Sequence, residues 1–350
     1  MPKTVTMKTV AQLSKVTEAT VSMSLANNPR IPRKTRERIQ AIADKLGYRT
    51  HPYVSALLRM RRQGRAQAER PILAMVNAFR RADGWRNAQG PTVRQMRDGV
   101  MERAALRGYQ AQEFWLHQDG MSPERFSEVL RTRSIHGVVI SPLAEGAPPP
   151  KLKWDYFAAV SLSVPLPALT IPTICNDHFS SSLLAARECY ALGYRRMGLV
   201  IREMHRERFD ARWEGGMHAA KLLMPRITQT RTLLMRDWDD EAALSAWIKK
   251  EQPEAIISPG AEWFPPVLQK MGLNAPADIG LAGLSCSQMG HECSGVFQNG
   301  NLIGATAVDT LISMVERFEH GLPAQATTIM IESTWNPGKT LRTITTPLAD

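Results

Sequence analysis

The first fifty residues carry apolar positions at the spacing of three short helices. A first helix is predicted over 9–13 with Thr9 as its N-cap, and a second over 18–25 with Thr17 as its N-cap. A third is predicted over 32–46. The apolar side chains expected to form their common core are Val10, Leu13, Val16, Val21, Leu25, Ile39 and Leu46. This pattern is typical of a helix-turn-helix domain whose second helix keeps one open face.

From residue 71 onward, apolar strands alternate with amphipathic helices. Strands are predicted over 72–76, 109–115, 137–140, 197–201, 255–257 and 278–284. Helices are predicted over 94–107, 123–132, 180–192, 212–223, 241–250 and 302–319. Such alternation predicts parallel sheets covered on both faces. The run Leu106-Arg107-Gly108-Tyr109 is echoed by Leu192-Gly193-Tyr194, so we expect two similar doubly wound lobes with a ligand crevice between them.

Charge divides the chain at the same point. Residues 1–70 hold fifteen Lys and Arg against four Asp and Glu, a net charge of +11. Residues 71–350 hold twenty-nine of each sign, so the whole excess lies in the head. Basic side chains release counterions from phosphates, and a basic head on a neutral body therefore indicates binding to nucleic acid. A basic disordered tail would lack the helical apolar repeat.

Other classes of protein find little support. No apolar run approaches the roughly 18 residues of a membrane span, and the first residues lack the apolar segment of a signal peptide, so we expect a cytoplasmic protein without membrane contact. The cysteines, expected as reduced and mostly buried thiols, are Cys175, Cys189, Cys286 and Cys293. P-loop, serine-hydrolase and zinc-peptidase motifs are missing. Asp177 before His178 is expected to cap a helix, and we expect no enzyme activity, no metal and no cofactor.

One string of residues in the head resembles the headpiece of the LacI/GalR (lac repressor) family, nearly without gaps over some fifty residues. The matching residues are Val10-Ala11, Val16-Thr17-Glu18-Ala19-Thr20-Val21-Ser22, Asn27, Thr35-Arg36-Glu37-Arg38-Ile39 and Leu46-Gly47-Tyr48. The body resembles the same family more weakly, at 191–199, 212–215 and 276–283. The resemblance implies a helix-turn-helix headpiece on a periplasmic-binding-protein-like α/β core of two doubly wound lobes.

The resemblance also implies which side chains contact DNA. Glu18 and Ala19 correspond to positions that contact base edges in the major groove, where Glu18 could accept a hydrogen bond from cytosine N4. Alternatively, Glu18 is only an acid favoured by the helix dipole. The expected DNA-binding residues of the head are Thr9, Thr17, Glu18, Ala19, Thr20, Ser22, Met23 and Asn27. The family usually has glycine at Lys15 and arginine at Met23, so operator preference should differ here.

Residues 51–70 resemble the family's hinge, which folds into a helix on operator DNA. Leu57 corresponds to the leucine that wedges between central base pairs and kinks the duplex. The expected hinge contacts are Tyr53, Ser55, Ala56 and Leu57. A flexible basic linker, with Leu57 packed on the body, is the alternative.

In this family the two lobes exchange chain three times, which sets the expected domain boundaries. These are 1–50 for the headpiece, 51–70 for the hinge, about 71–167 and 296–322 for lobe one, and about 168–295 and 323–345 for lobe two.

The family's effector positions are where this chain differs most. The expected effector-binding residues are Asn77, Ser141, Ser163, Asp210, Arg212, Trp238, Ser285 and Gln298. The carboxylates that would hold sugar hydroxyls are largely missing. Four alternatives stay open: a sugar, a related metabolite, something smaller or less polar, or no physiological ligand. Trp238 equally fits a core or surface aromatic, and Arg212 equally fits an interlobe salt bridge.

Together these observations predict a homodimeric transcriptional regulator of the repressor type. It would bind a pseudo-palindromic operator in double-stranded DNA, with an affinity set by a small molecule between the core lobes. The alternative is a small-molecule binding protein of the periplasmic-binding type without regulatory DNA binding. The basic head argues against that alternative.

Overall fold

The computed structural model describes residues 7–25, 30–46, 70–88, 90–144, 146–166 and 168–344. The head contains three helices, as predicted: α1 (Met7–Ser14), α2 (Glu18–Leu25) and α3 (Arg33–Lys45). Because α1 already begins at Met7, Thr9 lies inside its first turn, and the prediction that Thr9 caps this helix is wrong.

The head has its own small core. The buried residues in it are Val10, Ala11, Val21, Ile39 and Ala43. The prediction for Leu13 is wrong, since its side chain is 56% exposed while Ser14 is fully buried. The buried face of α1 runs through Val10, Ala11 and Ser14, and a helical repeat then turns Leu13 toward solvent.

Lobe one is built on a six-stranded sheet in which all neighbouring strands are parallel. Its strands are β1 (Ile72–Asn77), β2 (Gln110–Trp115), β3 (Gly137–Ile140), β4 (Ala158–Leu162), β5 (Thr173–Asn176) and β12 (Thr328–Ile331). They lie in the order β12-β5-β4-β3-β1-β2. The helices of this lobe are α4 (Pro91–Leu106), α5 (Pro123–Thr132) and α11 (Gly300–Glu316), with a 3-10 turn at Trp154–Tyr156. Separate apolar clusters cover the two faces of the sheet.

Lobe two repeats this plan on a seven-stranded sheet of order β13-β11-β10-β9-β6-β7, with β8 beside β6. Its strands are β6 (Arg196–Arg202), β7 (Thr228–Gln229), β8 (Leu233–Met235), β9 (Ala255–Ser258), β10 (Gly280–Gly283), β11 (Gly295–Phe297) and β13 (Thr334–Asn336). Its helices are α6 (His178–Ala191), α7 (Glu203–Arg208), α8 (Arg212–Leu223), α9 (Glu241–Glu251) and α10 (Pro265–Lys270), with a 3-10 turn at Ala261–Trp263. Only the β11–β13 pair is antiparallel among these described strands.

The chain passes between the lobes after β5, after β11 and after β12. The predicted lobe boundaries at 167/168 and 322/323 therefore come too early. Strands β5 and β12 pair with each other, Thr173 opposite Thr328, and complete the edge of the lobe-one sheet before the chain leaves it. The boundary predicted at 295/296 falls inside β11, which belongs to lobe two.

The three crossing segments are hydrogen-bonded to one another. Asn176 donates through Nδ2 to Ile331 O at 3.0 Å and to Ser333 Oγ at 2.9 Å. Asn299 donates through Nδ2 to Glu332 O at 2.8 Å and to Thr334 Oγ1 at 3.1 Å. The segments after β5, β11 and β12 therefore form one cross-linked hinge.

The described residues contain neither a candidate membrane-spanning helix nor a cluster of potential metal ligands. None of the helices in these ranges has the length and apolar character that crossing a membrane requires. Within the same ranges, no three His, Cys, Asp or Glu side chains converge in a way that could hold a metal ion. All four cysteines are free and buried, which confirms the predicted burial.

In each lobe, two helices that cover the sheet pack closely against each other at a glycine. In lobe one, a Cβ on Gly304 of α11 would lie closer than 3.0 Å to Met96 O of α4. In lobe two, a Cβ on Gly216 of α8 would overlap Ser182 Oγ and Phe179 O of α6. Real Cβ atoms essentially never come this close, so the backbones can touch only because these residues are glycine.

Two neighbouring glycines on α8 test this contact. Gly216→Ala should lower the free energy of unfolding by about 1–3 kcal/mol, because the added methyl group overpacks the α6–α8 contact. Gly215→Ala is the matched control, since its Cβ would lie 3.4 Å from Phe179 Cδ2, an ordinary contact. It should be neutral or stabilise by about 0.5–1 kcal/mol, as alanine favours a helix. Urea midpoints compare the two; equal midpoints would refute the close contact.

Candidate DNA-binding face and effector cleft

Helix α2 buries one face and leaves the other open. Val21 and Ser24 are buried against α1 and α3. Thr17, Glu18, Ala19 and Ser22 are exposed, whereas Thr20 and Met23 are half-buried at the edge of the open face. The predicted open second helix is therefore present, while the DNA contacts of these side chains stay a prediction.

The N-terminus of α2 is capped as the sequence predicted. Thr17 Oγ1 accepts a hydrogen bond from the Thr20 N–H at 3.2 Å, and the two hydroxyls lie 2.9 Å apart. This satisfies one of the helix's free N–H groups and fixes the direction in which Glu18 leaves the first turn. The remaining N–H groups give this end a partial positive charge, which favours Glu18 and also an approaching phosphate.

The turn between α1 and α2 is a Schellman motif with lysine at the position that usually takes glycine. Val16 N–H donates to Ala11 O at 3.1 Å and Lys15 N–H to Gln12 O at 3.2 Å. Lys15 has φ +53°, in the left-handed region that favours glycine. A side chain in this region costs about 1–2 kcal/mol, and the hydrogen bonds of the turn offset that cost.

Helix α3 fastens both helices of the motif. Arg38 Nη1 donates to Ser14 O at 3.1 Å, at the last residue of α1. Gln40 Nε2 donates to Ser24 O at 3.0 Å, near the end of α2. Both bonds satisfy carbonyls at helix C-termini, and the Arg38 charge also favours the negative end of α1. The fixed angle between α1 and α2 thus depends on polar as well as apolar contacts.

Several predicted DNA contacts lie outside the described residues. These are Asn27, Tyr53, Ser55, Ala56 and Leu57. The hinge helix and its leucine wedge therefore stay predictions, as do the boundaries of the 1–50 and 51–70 segments.

Both sheets place polar residues at the carboxyl ends of their strands, where doubly wound folds bind ligands. Three of the predicted effector residues there use their side chains in hydrogen bonds to backbone groups. Asn77 accepts from Phe79 N–H at 3.0 Å and donates to Ala82 O at 2.7 Å. Ser141 Oγ accepts from Ala78 N–H at 3.0 Å, and Gln298 Nε2 donates to Leu284 O at 2.7 Å. These three side chains are buried and shape the loops around the cleft.

The lobes touch across the cleft through an interlobe bridge formed by Thr92 and Gln95 of α4 with Ser285 and Ser287 of lobe two. Thr92 Oγ1 and Ser285 Oγ lie 3.0 Å apart, and Gln95 Nε2 donates to Ser287 O at 2.5 Å. Elsewhere Arg208 Nη1 donates to Leu143 O at 2.8 Å. Sequence analysis identified Ser285 but missed Thr92, Gln95 and Arg208. Their polar positions on helices that follow strands were the available signal.

The lobe-two side of the cleft carries an aromatic cluster. Its members are His178, His205, Phe209, Trp213, Trp238 and Phe264. His178 lies 4.1 Å from Phe209 and 5.0 Å from Trp213 between ring centroids. The half-buried Trp238 continues the cluster at 5.8 Å from His205 and packs on the backbone of Gly260. This arrangement gives the cleft an apolar, ring-rich wall.

Three other predicted effector residues lie near this wall or opposite it. Arg212 is half-buried at the start of α8, and its Nη1 lies 3.5 Å from Met330 Sδ of lobe one. It therefore crosses between the lobes to a thioether rather than to a carboxylate. Asp210 is exposed with φ +48°, and Ser163 after β4 is half-buried with φ +84°. Left-handed backbone at both positions directs the loops that enter the cleft.

The histidines of the cluster are neutral. Burial lowers the pKa of His178 to about 3, and the neighbouring Arg212 charge lowers it further. Burial likewise lowers the pKa of His205 to about 4, and the Arg202 charge is the second cause of this decrease. His178 Nδ1 and Trp213 Nε1 are buried without a hydrogen-bond partner among the described residues. The wall thus combines uncharged rings with two polar atoms that carry unused hydrogen-bonding capacity.

The depressed pKa of His178 predicts a loss of stability in mild acid. Between pH 6.5 and 4, His178 binds a proton in the unfolded state, where its pKa is near 6.5, but stays neutral in the folded state. The free energy of unfolding should therefore fall as the pH drops through this range. At pH 5 the loss should be about 2 kcal/mol. His178→Phe should remove this part of the loss, whereas replacing the exposed His218 should not. Urea midpoints at pH 7 and 5 measure it; an unchanged acid loss in His178→Phe would contradict a neutral buried imidazole.

Comparison with known proteins agrees with this architecture. The family model described as "Bacterial regulatory proteins, lacI family" matches residues 6–51. The HTH-type transcriptional repressor CytR of Escherichia coli K12 is 26% identical over 206 residues, which cover 56% of this chain and 53% of CytR. The chain thus spans about half the length of the curated relatives it matches.

Solved structures share the fold at lower identity. A CelR–cellobiose complex has a TM-score of 0.56 and 18% identity, covering 96% of this chain and all of that one. The lac repressor dimer bound to operator and an anti-inducer has a TM-score of 0.52 and 17% identity, covering 97% of this chain and all of that one. CcpA of Lactococcus lactis has a TM-score of 0.58 and 12% identity, covering 78% of this chain and 99% of that one. The chain is therefore similar to lacI-family regulatory proteins over residues 6–51 and to CytR over 206 residues, and it shares the fold of these solved regulators.

Proposed function

We propose that the protein is a transcriptional repressor that inserts α2 into the major groove of an operator and responds to a small molecule bound between its lobes. The observation that carries this proposal is the open face of α2 on a basic three-helix domain matched by the lacI family model. CytR, which is similar to this chain, is named a repressor, and this supports repression over activation.

The DNA contacts follow from the geometry of α2. Its exposed first turn presents Glu18 and Ala19 to base edges, while Thr17 and Ser22 flank them for phosphate oxygens. One of the Thr17 and Thr20 hydroxyls donates its only proton to the other, so the accepting hydroxyl keeps a proton to donate to one phosphate oxygen. The net charge of +11 on residues 1–70 supplies the non-specific attraction to the duplex.

We propose a cytoplasmic homodimer on a pseudo-palindromic operator. The lac repressor, whose fold this chain shares, is described as a dimer bound to operator, and two-fold proteins bind two-fold sites. Leu57 and the neighbouring hinge residues would open the central step of that site.

The wall of the cleft favours an uncharged effector with a flat apolar face and a few hydroxyl groups. Neutral rings such as Trp238 stack on such a face, whereas the described cleft residues offer few carboxylates to hold many hydroxyls. Arg212, Ser163 and the buried Nδ1 of His178 are the polar groups placed to orient it. Cellobiose, the ligand named in the CelR complex, is uncharged and has apolar ring faces, but it carries more hydroxyl groups than this cleft favours.

A binding protein without regulatory DNA binding is the competing function. A gel-shift assay on the DNA upstream of its gene separates the two. A sequence-dependent shift that weakens with salt supports the repressor, because phosphate contacts release counterions. The absence of such a shift, with ligand binding retained, would favour the competitor.

Glu18 offers a test of base recognition. Glu18→Gln should change the base preferred at one position of each half-site, from cytosine toward adenine, with discrimination of about 1–3 kcal/mol. Non-specific affinity should change little. Selection from random DNA measures this, with Asp44→Asn on α3 as the charge-matched control that keeps the original site. An unchanged site in Glu18→Gln would mean that Glu18 serves only the helix dipole.

Trp238 offers a test of the effector wall. Trp238→Leu should weaken effector binding about tenfold, the loss expected when a stacking ring is removed, without changing operator affinity in the absence of effector. A thermal-shift screen of neutral sugars and nucleosides supplies the ligand for titration. Trp154→Leu is the control, since Trp154 is also half-buried but lies before the start of β4, away from the carboxyl ends of the strands. Equal effects of both changes would refute the role of Trp238.

A further inference from the structure

The loop of residues 284–294, which joins β10 to β11, carries two cysteines beside the interlobe bridge. Cys286 lies between Ser285 and Ser287, the two bridge residues of lobe two. Cys293 lies two residues before β11. Any chemistry that joins these cysteines therefore acts directly on the contact between the lobes.

The two thiols are neighbours. Cys286 Sγ donates to Cys293 O at 3.6 Å, and Cys293 Sγ donates to Ser294 O at 3.4 Å. Both sulfurs flank Gly283, where a Cβ would lie 3.2 Å from Cys286 Sγ and 3.4 Å from Cys293 Sγ. The thiols are 1% and 4% exposed, but the residues between them, including Gln288, Met289 and Gly290, are exposed. A small oxidant therefore reaches the thiols from solvent by passing only the residues of this loop.

Both sides of the loop are anchored to the lobe-two sheet, and the leading side is also bonded to lobe one. On the leading side, Cys286 N–H donates to Val296 O at 2.9 Å. Asn336, buried on β13, accepts from Gly290 N–H at 2.8 Å and donates to His291 O at 2.9 Å and Cys293 O at 2.7 Å. Side-chain contacts of the leading side run instead across the cleft, from Ser285 to Thr92. Any movement of Cys286 that brings the sulfurs together therefore acts on the neighbouring Ser285–Thr92 contact.

We propose that Cys286 and Cys293 are a regulatory dithiol, converted by hydrogen peroxide to a disulfide that releases the interlobe bridge. The effect on operator affinity rests on the proposed function, whereas the disulfide itself does not. Disulfide formation brings the sulfurs to about 2.05 Å, closer than two unbonded thiols can lie. The accompanying shift of Cys286 carries Ser285 and Ser287 away from α4.

The chemistry balances with peroxide as the oxidant. The neighbouring Cys286 side chain lowers the pKa of the Cys293 thiol. The Cys293 thiolate attacks one peroxide oxygen, the O–O bond breaks, and hydroxide leaves with the Cys293 proton as water. The Cys286 sulfur then attacks the resulting sulfenic sulfur, and the S–S bond forms as the second water leaves with the Cys286 proton. Two thiols and one peroxide give one disulfide and two waters.

The other two cysteines are internal controls. Burial raises the pKa of the Cys175 thiol to about 11 and that of Cys189 to about 12. Cys175 lies on β5 and Cys189 on α6, both away from the 284–294 loop along the chain. These thiols should stay reduced under conditions that oxidise the pair.

Thiol counting on the full-length protein tests the disulfide. After reduction, desalting and peroxide treatment, the protein is denatured and alkylated, then weighed and mapped by peptide mass spectrometry. We expect four free thiols to fall to two, with Cys286 linked to Cys293. A Cys175→Ser/Cys189→Ser variant should form the same bond, and Cys286→Ser should form none. Four remaining thiols, or a bond through Cys175 or Cys189, would overturn the proposal.

Two readouts test the consequence. Hydrogen exchange over residues 91–95 should be faster in the oxidised protein, because Thr92 and Gln95 lose their partners. Operator affinity, measured by anisotropy on the selected site, should differ about fivefold or more between redox states, and Cys286→Ser should abolish the difference. A disulfide that leaves both readouts unchanged would overturn the coupling. If neither redox state binds specific DNA, the repressor function has failed, while exchange and thiol counts still decide the switch.

Discussion

The cross-linked hinge is the constraint on which the cleft depends. Three segments of the chain pass between the lobes, and the amides of Asn176 and Asn299 tie them to one another. Because the crossings are adjacent and bonded, they hold the neighbouring ends of the two sheets together. Pairing of β5 with β12 in one sheet and of β11 with β13 in the other fixes where the strands end. The facing polar ends of the sheets, and thus the cleft, follow from that pairing.

The elements with a strong apolar repeat could be predicted from the sequence. The three head helices, the cap at Thr17 and the cap at Asp177 were all correct, since each depends on residues a few positions apart. Leu13 and Thr9 were wrong because the start of α1 sets which side of a short helix faces inward. The short strands β4, β5, β12 and β13 were missed because three to five residues are too few to show a clear period. Their place is set by pairing with distant segments, and this displaced the predicted lobe boundaries.

The candidate site was predictable in part. Local sequence identified polar residues at strand ends, but it could not say which of them serve the backbone. Asn77 and Gln298 satisfy loop groups that exist only after the sheets have formed. Thr92 and Gln95 belong to a helix whose first turn faces the other lobe, a contact across almost two hundred residues of sequence. Which residues contact the other lobe therefore depends on how the folded lobes face each other, and no local sequence pattern identifies these residues.

The two functional surfaces differ in electrostatics, and this difference restricts how they can communicate. The head holds the whole net charge, whereas residues 71–350 sum to zero and the histidines of the cleft are neutral. An uncharged effector in such a cleft cannot alter the head's attraction to phosphates, which depends on charge. It can act only by favouring one arrangement of the lobes over another. The interlobe bridge at Thr92 and Ser285 is a contact that such a rearrangement must make or break, so ligand and loop chemistry converge on the same few hydrogen bonds.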